Sequence, residues 1–236
     1  MEENTQDKAY DYAHRNTDRD ARRSSVSRYN RYRHPDKAYE DMVESLRMSY
    51  ADREIPVSSD ETLCVVCMLA RLKGARDILE LGTATGVSGT ALLGSLPEAK
   101  LTTIERREDF LAKAQENFSK AGLKARAECI LGDAGAEIQR LLKEGKSYDF
   151  IFMDCAKVQY IKYLPVLKNL LRPGGVLVAD DVLIYGWATG ENKVPQKRHM
   201  LAQHIQEYID AVTADEDLYT AVLDQGDGLA VSIRLR

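Results

Sequence analysis

Four residues whose side chains could do chemistry follow two apolar, strand-like runs. Asp154 and Lys157 come after one run, and Asp180 and Asp181 come directly after the next. Because the carboxyl ends of parallel strands meet at one edge of a sheet, three carboxylates and one ammonium should converge there. Oxygen ligands favour a hard divalent cation such as Mg²⁺, which keeps positions open for water and substrate. The alternative is that Lys157 only pairs with Asp154 and that Asp180 caps the next turn.

A loop of small residues follows an earlier strand. Gly82 and Gly86 lie in this loop, and Glu80 comes just before it. Backbone amides in such a loop can approach a ligand closely at a helix N-terminus. The spacing is not that of a dinucleotide loop, a phosphate-binding lysine is missing, and Glu80 would repel a pyrophosphate but suit a cationic ligand. The loop therefore favours a ligand other than a nicotinamide dinucleotide.

Two further acidic residues lie at strand ends. Glu105 follows Glu80 by 25 residues, at a position where a carboxylate can accept both hydroxyls of a ribose. Asp133 can either cap the next helix or accept from an adenine amino group. Together with the glycine loop, these residues predict a site for S-adenosylmethionine. The alternative is that the glycines only make a tight turn and that Glu105 is a solvated strand end.

These residues must be positioned by alternating strands and helices. Strands are predicted at residues 77–81, 100–104, 127–131, 148–153 and 175–179. Helices are predicted at residues 87–96, 108–121, 134–144 and 159–171. This alternation predicts an α/β fold with a doubly wound, mostly parallel sheet covered by helices on both faces. A helix at 195–212 and two strands at 219–223 and 229–235, joined by a hairpin-like turn, complete the prediction.

The N-terminal part of the chain differs from the rest. Residues 1–35 form a polar arm without an apolar period, and the stretch 15–37 contains eight basic and three acidic residues, a formal charge of +5. This pattern predicts a mobile or conditionally ordered arm that contributes nothing to the core. A domain of residues 36–236 follows, which begins with two amphipathic helices, from Asp36 and from the polar residues near Ser58.

Composition excludes several classes of protein. The chain has 236 residues, of which 44% are hydrophobic and 30% are charged, which suits one α/β domain with a short appendage. No apolar run approaches the roughly 20 residues that span a bilayer, and the acidic start has no apolar signal region. We therefore expect a soluble, cytoplasmic protein. Four cysteines are too few for a disulfide framework, and a net charge of −4 argues against indiscriminate nucleic-acid binding.

As a set, these motifs resemble the divalent-metal-dependent O-methyltransferases of the catechol and caffeoyl-CoA type. The resemblance runs from about residue 36 to the C-terminus. It rests on ELGTATGVS at 80–88, Glu105, GDA at 132–134, DCAK at 154–157, ADD at 179–181 and GDGLAVS at 226–232. It implies a class I, Rossmann-like S-adenosylmethionine methyltransferase fold with an antiparallel last strand and N-terminal helices over the site.

The resemblance also implies roles for individual residues. Asp154, Asp180 and Asp181 would hold the metal, and Lys157 would be the catalytic base beside Asp154. The S-adenosylmethionine site would be lined by Ser58, Glu80, Gly82, Thr83, Ser88, Glu105, Asp133, Ala134 and Asp154. The metal would chelate two vicinal oxygens of the acceptor and lower its hydroxyl pKa. The third metal position is usually Asn in this family and is Asp181 here, which bears on metal preference.

Within the family, three segments look most like bacterial tRNA 5-hydroxyuridine methyltransferases. They are residues 154–160, 194–199 and 226–232. This likeness implies tRNA as the partner and 5-methoxyuridine as the product, with a small catechol-like phenol as the alternative acceptor. Relatives of this type are often homodimers. A function of another class is a catalytically silent module that binds S-adenosylmethionine or RNA. It is disfavoured because the set of four residues at the edge of the sheet is complete: Asp154, Lys157, Asp180 and Asp181.

Overall fold

Seven strands of the described residues form one sheet. The computed structural model describes residues 29–51, 55, 57–190 and 192–236. The strands are β1 (Asp77–Leu81), β2 (Lys100–Glu105), β3 (Ala127–Leu131), β4 (Tyr148–Met153), β5 (Leu171–Ala179), β6 (Leu218–Leu223) and β7 (Leu229–Arg234). Their order across the sheet is β3-β2-β1-β4-β5-β7-β6. β1 to β5 pair in parallel, and β7 is antiparallel to both of its neighbours. The predicted mostly parallel sheet with an antiparallel last strand is confirmed.

Helices cover both faces of this sheet. They are α1 (Lys37–Ala51), α2 (Asp60–Lys73), α3 (Val87–Ser95), α4 (Glu108–Lys120), α5 (Ala134–Lys143), α6 (Tyr160–Leu170) and α7 (His199–Ala214). Alternate residues of β4 separate the two cores, because successive side chains of a strand point to opposite faces. Phe150 and Phe152 pack with residues of α1 to α4, whereas Ile151 and Met153 pack with residues of α5 to α7. The sheet is therefore doubly wound, as predicted.

Two predicted starts differ from the structure by four residues, and the other boundaries agree within two. The fifth strand begins at Leu171 rather than at residue 175, because Leu171 pairs with Tyr148 ahead of a register shift. Pro173 and Gly174, which follow, are typical of a turn, so the sequence did not indicate that the strand begins before them. The last helix begins at His199, after a short 3₁₀ turn at Gln196–Arg198 that follows Pro195.

Helix α2 shows why its ends could be placed from the sequence. The Ser59 hydroxyl accepts a hydrogen bond of 3.1 Å from the Thr62 amide, so Ser59 caps the free N–H groups of the first turn. Gly74 ends the helix in the left-handed conformation, with φ of 65°. The N-terminus of α2 thereby lies two residues after Ser58, at the rim of the sheet that carries the candidate site.

The prediction that the N-terminal arm contributes no residue to the core is wrong. Tyr32 is only 5% exposed and belongs to the core under α1 to α4. Its backbone N–H donates to Asp60 Oδ1 at 3.1 Å, which ties the end of the arm to α2. A single apolar ring without a periodic partner gives no sequence signal, so the prediction that the arm contributes nothing to the core fails here. Residues 1–28 of the predicted arm lie outside the described residues.

Among the residues described, no helix is both long and apolar enough to cross a bilayer.

Candidate active site

The order of the strands brings the predicted site residues together. β1, β4 and β5 are neighbours, so their carboxyl ends share one rim. The Asp154 amide donates to Leu81 O at 2.9 Å, and the Asp180 amide donates to Met153 O at 3.0 Å. Parallel pairing thus continues one residue beyond each strand. It fixes the backbone at the two positions from which the predicted carboxylates project.

The four rim residues converge in an ionic cluster. Lys157 Nζ lies 2.7 Å from Asp154 Oδ1 and 2.9 Å from Asp181 Oδ2. The side chains are largely shielded, with exposed fractions of 18% for Lys157, 24% for Asp154 and 23% for Asp181. Asp180 is 3% exposed, and its Oδ1 accepts from the Asp181 amide at 2.8 Å. The four residues converge as predicted. The two contacts of the alternative interpretation, the ion pair of Lys157 with Asp154 and the turn cap by Asp180, are present as well.

Charge decides how the groups of this cluster are protonated. Burial disfavours the ammonium of Lys157, but Asp154 and Asp181 outweigh it and hold the lysine pKa well above its ordinary value. Burial, followed by repulsion from Asp181 and Asp154, raises the pKa of Asp180 well above its usual range. The carboxylates of Asp154 and Asp181 alone outnumber the one ammonium, so the cluster has an excess of negative charge. In this arrangement Lys157 is a cation at neutral pH and cannot accept a proton.

The oxygen atoms of this cluster are of the kind that binds a divalent cation. Three carboxylates with excess negative charge are the ligands that a hard cation such as Mg²⁺ takes. However, among the described residues no three Asp, Glu, His or Cys side chains are arranged so that they could hold a metal ion. The chemistry of the donors fits, while the Lys157 ammonium engages two of the three carboxylates. A cation held by Asp154, Asp180 and Asp181 would therefore compete with Lys157 for two of these carboxylates.

The loop after β1 lies directly against Asp154. A β-carbon on Gly82, which has φ of 100°, would be 2.0 Å from the backbone oxygen of Asp154. Only glycine fits this close approach. The amides of Gly82 and Thr83 donate to Ile104 O at 3.0 and 3.3 Å, which holds the loop between β1 and β2. The glycine loop and the acidic cluster therefore share one wall.

Glu105 supports the same loop from the end of β2. Its Oε2 accepts from the Ala84 amide and its Oε1 accepts from the Arg107 amide, each at 2.9 Å. Ala84 has φ of 44°, in the left-handed region that non-glycine residues rarely adopt. Each carboxylate oxygen has two acceptor sites. Glu105 can thus hold the loop and still accept the two hydroxyls of a ribose.

Glu80, Thr83 and Ser88 form a buried network beneath the loop. The Ser88 and Thr103 hydroxyls donate to the two Glu80 carboxylate oxygens, each at 2.6 Å, and Thr83 Oγ1 lies 2.5 Å from Thr103 Oγ1. Burial raises the pKa of Glu80 to about 7, and the two hydroxyl donors limit the rise. These hydrogen bonds stabilise the glycine loop after β1 from below. Contact of Glu80, Thr83 and Ser88 with S-adenosylmethionine stays a prediction.

Thr103 was not identified from the sequence. It is the register partner of Glu80 across β1 and β2, so its hydroxyl necessarily stands beside that carboxylate. The signal was available once both strands were predicted in parallel register. Tyr160 was also missed, and its hydroxyl donates to Met153 O at 2.9 Å and to Asp180 O at 3.2 Å. It joins the two strand ends that carry the acidic cluster, and nothing in its apolar sequence context indicated this contact.

Asp133 and Ala134 lie at the start of α5. Asp133 Oδ1 accepts from the Ala136 amide at 3.1 Å, so the capping role is present. Contact of either residue with adenine stays a prediction. Asp133 also borders a cleft of about 330 Å³ between α5 and α6, together with Tyr163 and Lys162. This cleft opens beside the rim and leaves room near the predicted adenine position.

Ser58 and the turn before β7 close the other side of the site. The Ser58 hydroxyl is buried and lies 3.4 Å from Asp154 Oδ2. A β-carbon on Gly226 would be 2.7 Å from Thr62 Oγ1, so the turn packs against the start of α2. The Leu183 amide, two residues after Asp181, donates to Asp227 O at 2.9 Å. The start of α2, the turn and the segment after Asp181 therefore form one wall.

The fold and the rim define the class of this protein. A doubly wound sheet of seven strands with an antiparallel last strand, a glycine loop after β1 and acidic residues at the ends of β2, β4 and β5 are those of a class I methyltransferase that uses S-adenosylmethionine. Comparison with known proteins identifies the family. The profile of the O-methyltransferase family matches residues 35–235. The chain belongs to this family and is an S-adenosylmethionine-dependent O-methyltransferase of the caffeoyl-CoA type.

Individual relatives agree with this assignment. An O-methyltransferase of Mycobacterium avium (strain 104) is 34% identical over 172 residues, which are 72% of this chain and 75% of the relative. A structure from Staphylococcus aureus, assigned as a caffeoyl-CoA O-methyltransferase, has 30% identity and a TM-score of 0.74 over 81% of this chain and 91% of its own. The O-methyltransferase of Bacillus cereus, solved in complex with SAH, has 25% identity and a TM-score of 0.73 over 82% and 90% of the two chains.

Proposed function

We propose that this O-methyltransferase methylates the 5-hydroxyl group of 5-hydroxyuridine in tRNA with the help of a divalent cation, Mg²⁺ or a similar hard ion. The observation that carries the proposal is the position of the arm relative to the acidic cluster. The side-chain amide of Asn30 hydrogen-bonds to Gln225 in the turn before β7. Arg31 Nε lies 3.7 Å from Asp60 Oδ2, at the start of α2. The described end of the basic arm, from residue 29, therefore lies beside the turn before β7 and the start of α2.

The substrate fits the site by its chemistry. The 5-hydroxyl and 4-carbonyl oxygens of 5-hydroxyuridine present the same pair of neighbouring oxygens as a catechol. A polyanion also needs cationic surface around the pocket. Arg31 and Arg33 have exposed side chains, and Lys193 and Lys197 are exposed just before α7. These cations support tRNA over a small phenol, which would need none of them.

Methyl transfer at this rim requires an acceptor oxygen in line with the sulfonium, and orientation alone is worth up to about 7–11 kcal/mol. Asp154, Asp180 and Asp181 would hold the cation, which would lower the pKa of the bound acceptor hydroxyl. The acceptor oxygen then forms a bond to the methyl carbon as the carbon–sulfur bond breaks. Lys157 would first release its own proton to solvent water, which a cation that neutralises its two carboxylate partners would favour, and would then accept the proton of the acceptor hydroxyl.

The test offers purified enzyme and labelled S-adenosylmethionine to hydroxylated tRNA and to a catechol in parallel, with and without a chelator. We expect methyl transfer to tRNA, and loss of transfer after verified removal of the metal. Transfer to the catechol with none to tRNA would reject the RNA substrate. Full transfer after metal removal would reject the cation. The homodimer and the cytoplasmic location stay predictions.

A further inference from the structure

We infer that the Lys157 ammonium and the divalent cation are alternative occupants of one carboxylate pair, Asp154 and Asp181, so that Lys157 sets how tightly the protein binds the metal. The inference rests on the proposed function for the presence of a metal. It gives Lys157 a second role, in which the ammonium opposes metal binding. A lysine that acted only as a proton acceptor would not need this role.

The geometry supplies the first step. The Lys157 ammonium lies within 3 Å of one oxygen from Asp154 and one from Asp181. These carboxylates are two of the three proposed metal ligands. An ammonium and a divalent cation repel each other strongly at such distances. The metal therefore gains these two oxygens only when Lys157 leaves them.

The third carboxyl group, Asp180, is not one of the two ion-pair partners of Lys157. Asp180 Oδ1 accepts from the Asp181 amide, and the Asp180 backbone is held by Met153 O and by the Tyr160 hydroxyl. The Asp180 backbone is thus anchored without any contact to Lys157. Exchange of the lysine for a metal then concerns the other two side chains.

Asp181 is what makes the lysine a strong competitor. An amide side chain at this position would offer the ammonium an oxygen without a full negative charge, so the lysine would be held mainly by Asp154. Asp181 has φ of 59°, and this left-handed conformation suits Asn as well as Asp. The substitution Asp181→Asn therefore changes the charge at the site with little change to the backbone.

The experiment measures Mn²⁺ binding by electron paramagnetic resonance, without S-adenosylmethionine or acceptor. Lys157→Met removes the competing ammonium, and we expect the Kd for Mn²⁺ to fall by about tenfold, a typical value for loss of a charge-assisted pair. Lys157→Arg keeps a cation that pairs well with carboxylates, so it should bring no gain in Mn²⁺ affinity. Lys162→Met is the matched control, because Lys162 lies on α6 and has no ion pair among the described residues.

Each outcome separates the inference from the proposed metal. Mn²⁺ binding to none of the proteins would reject both. Mn²⁺ binding to wild type with an equal or weaker affinity for Lys157→Met would overturn the inference and leave the metal in place. An equal gain in Lys157→Arg or Lys162→Met would also overturn it, because competition at the carboxylate pair predicts a gain specific to loss of this ammonium.

A second comparison covers the case in which Lys157→Met does not fold. The double variant Lys157→Met with Asp181→Asn loses one positive and one negative charge, so its net charge equals that of wild type. Compared with Asp181→Asn alone, we expect it to bind Mn²⁺ about threefold more tightly, a smaller gain because one of the two contacts of the ammonium is already weakened. No gain in this pair would refute the competition.

Discussion

Replacing Gly82 with alanine tests whether the loop after β1 must lie against the strand end that carries Asp154. The new β-carbon would stand 2.0 Å from a backbone oxygen, whereas contacts under 3.0 Å essentially do not occur for real β-carbons. The obstacle is backbone rather than the end of a flexible side chain. The loop or the end of β4 must therefore shift.

The magnitude follows from two contributions. A left-handed backbone costs alanine about 1–2 kcal/mol, and overpacking adds about 1–3 kcal/mol. We expect Gly82→Ala to lower the free energy of unfolding by about 2–5 kcal/mol in total. Gly122→Ala is the matched control, because Gly122 also has a positive φ, of 70°, but its β-carbon would meet nothing within 4 Å. Only the backbone contribution applies there.

Two measurements check this reasoning. Urea unfolding compares the stability of the two variants, and calorimetry with S-adenosylhomocysteine compares their affinity for the cofactor product. Gly82→Ala should lose affinity by at least about tenfold, whereas Gly122→Ala should bind like wild type. A Gly82→Ala protein that binds as tightly as wild type and unfolds like Gly122→Ala would show that the close approach of the loop to the strand end is not needed.

Three further predictions concern the cofactor side and the arm. Glu105→Ala should weaken S-adenosylhomocysteine binding by about 100-fold through loss of two charge-assisted hydrogen bonds, and should remove the preference for this ligand over its 2′-deoxy analogue; a preserved preference would place the ribose elsewhere. Glu80 has a folded pKa of about 7, above its ordinary 4.5, so its contribution to stability is full below about pH 4.5 and is lost as pH rises through 7. The difference in unfolding free energy between wild type and Glu80→Gln should therefore change by about 3 kcal/mol between pH 4 and pH 8, and parallel pH curves in urea unfolding would contradict the shift. Deleting residues 1–28, which spares the buried Tyr32, should weaken tRNA binding and flatten its salt dependence while S-adenosylhomocysteine affinity stays unchanged; unaltered tRNA binding across a salt titration would assign the RNA contacts to another surface.

The sequence predicted the alternation of strands and helices because each element has a strong local pattern. The convergence of Asp154, Asp180 and Asp181 also followed, since strand ends of a parallel sheet meet at one rim. The sequence could not predict which of these carboxylates pair with Lys157. Lys157 could reach one carboxylate or two, and only the left-handed backbone at Asp181 places the second one within its reach.

Other features depend on contacts between distant segments. Tyr32 is buried because α1 and α2 enclose it, and its own neighbours in the sequence are polar. The Glu80 carboxylate had appeared suited to a cationic ligand. In the folded chain it lies beneath the loop, with both oxygens bound to hydroxyls. The residue type indicates which interactions a side chain can make. The register of the strands decides which neighbour it makes them with.

The antiparallel direction of β7 has a consequence for how this enzyme family could diversify. Because β7 starts where β5 ends, with Ala230 opposite Ala179, the turn before β7 arrives at the same rim as the ends of the parallel strands. The two walls beside Asp154 therefore come from separate stretches of chain. The glycine loop comes from the middle, whereas the other wall joins the start of α2, near the beginning, to the turn before β7, near the end. Insertions between β6 and β7 can reshape this second wall without changing the loop after β1.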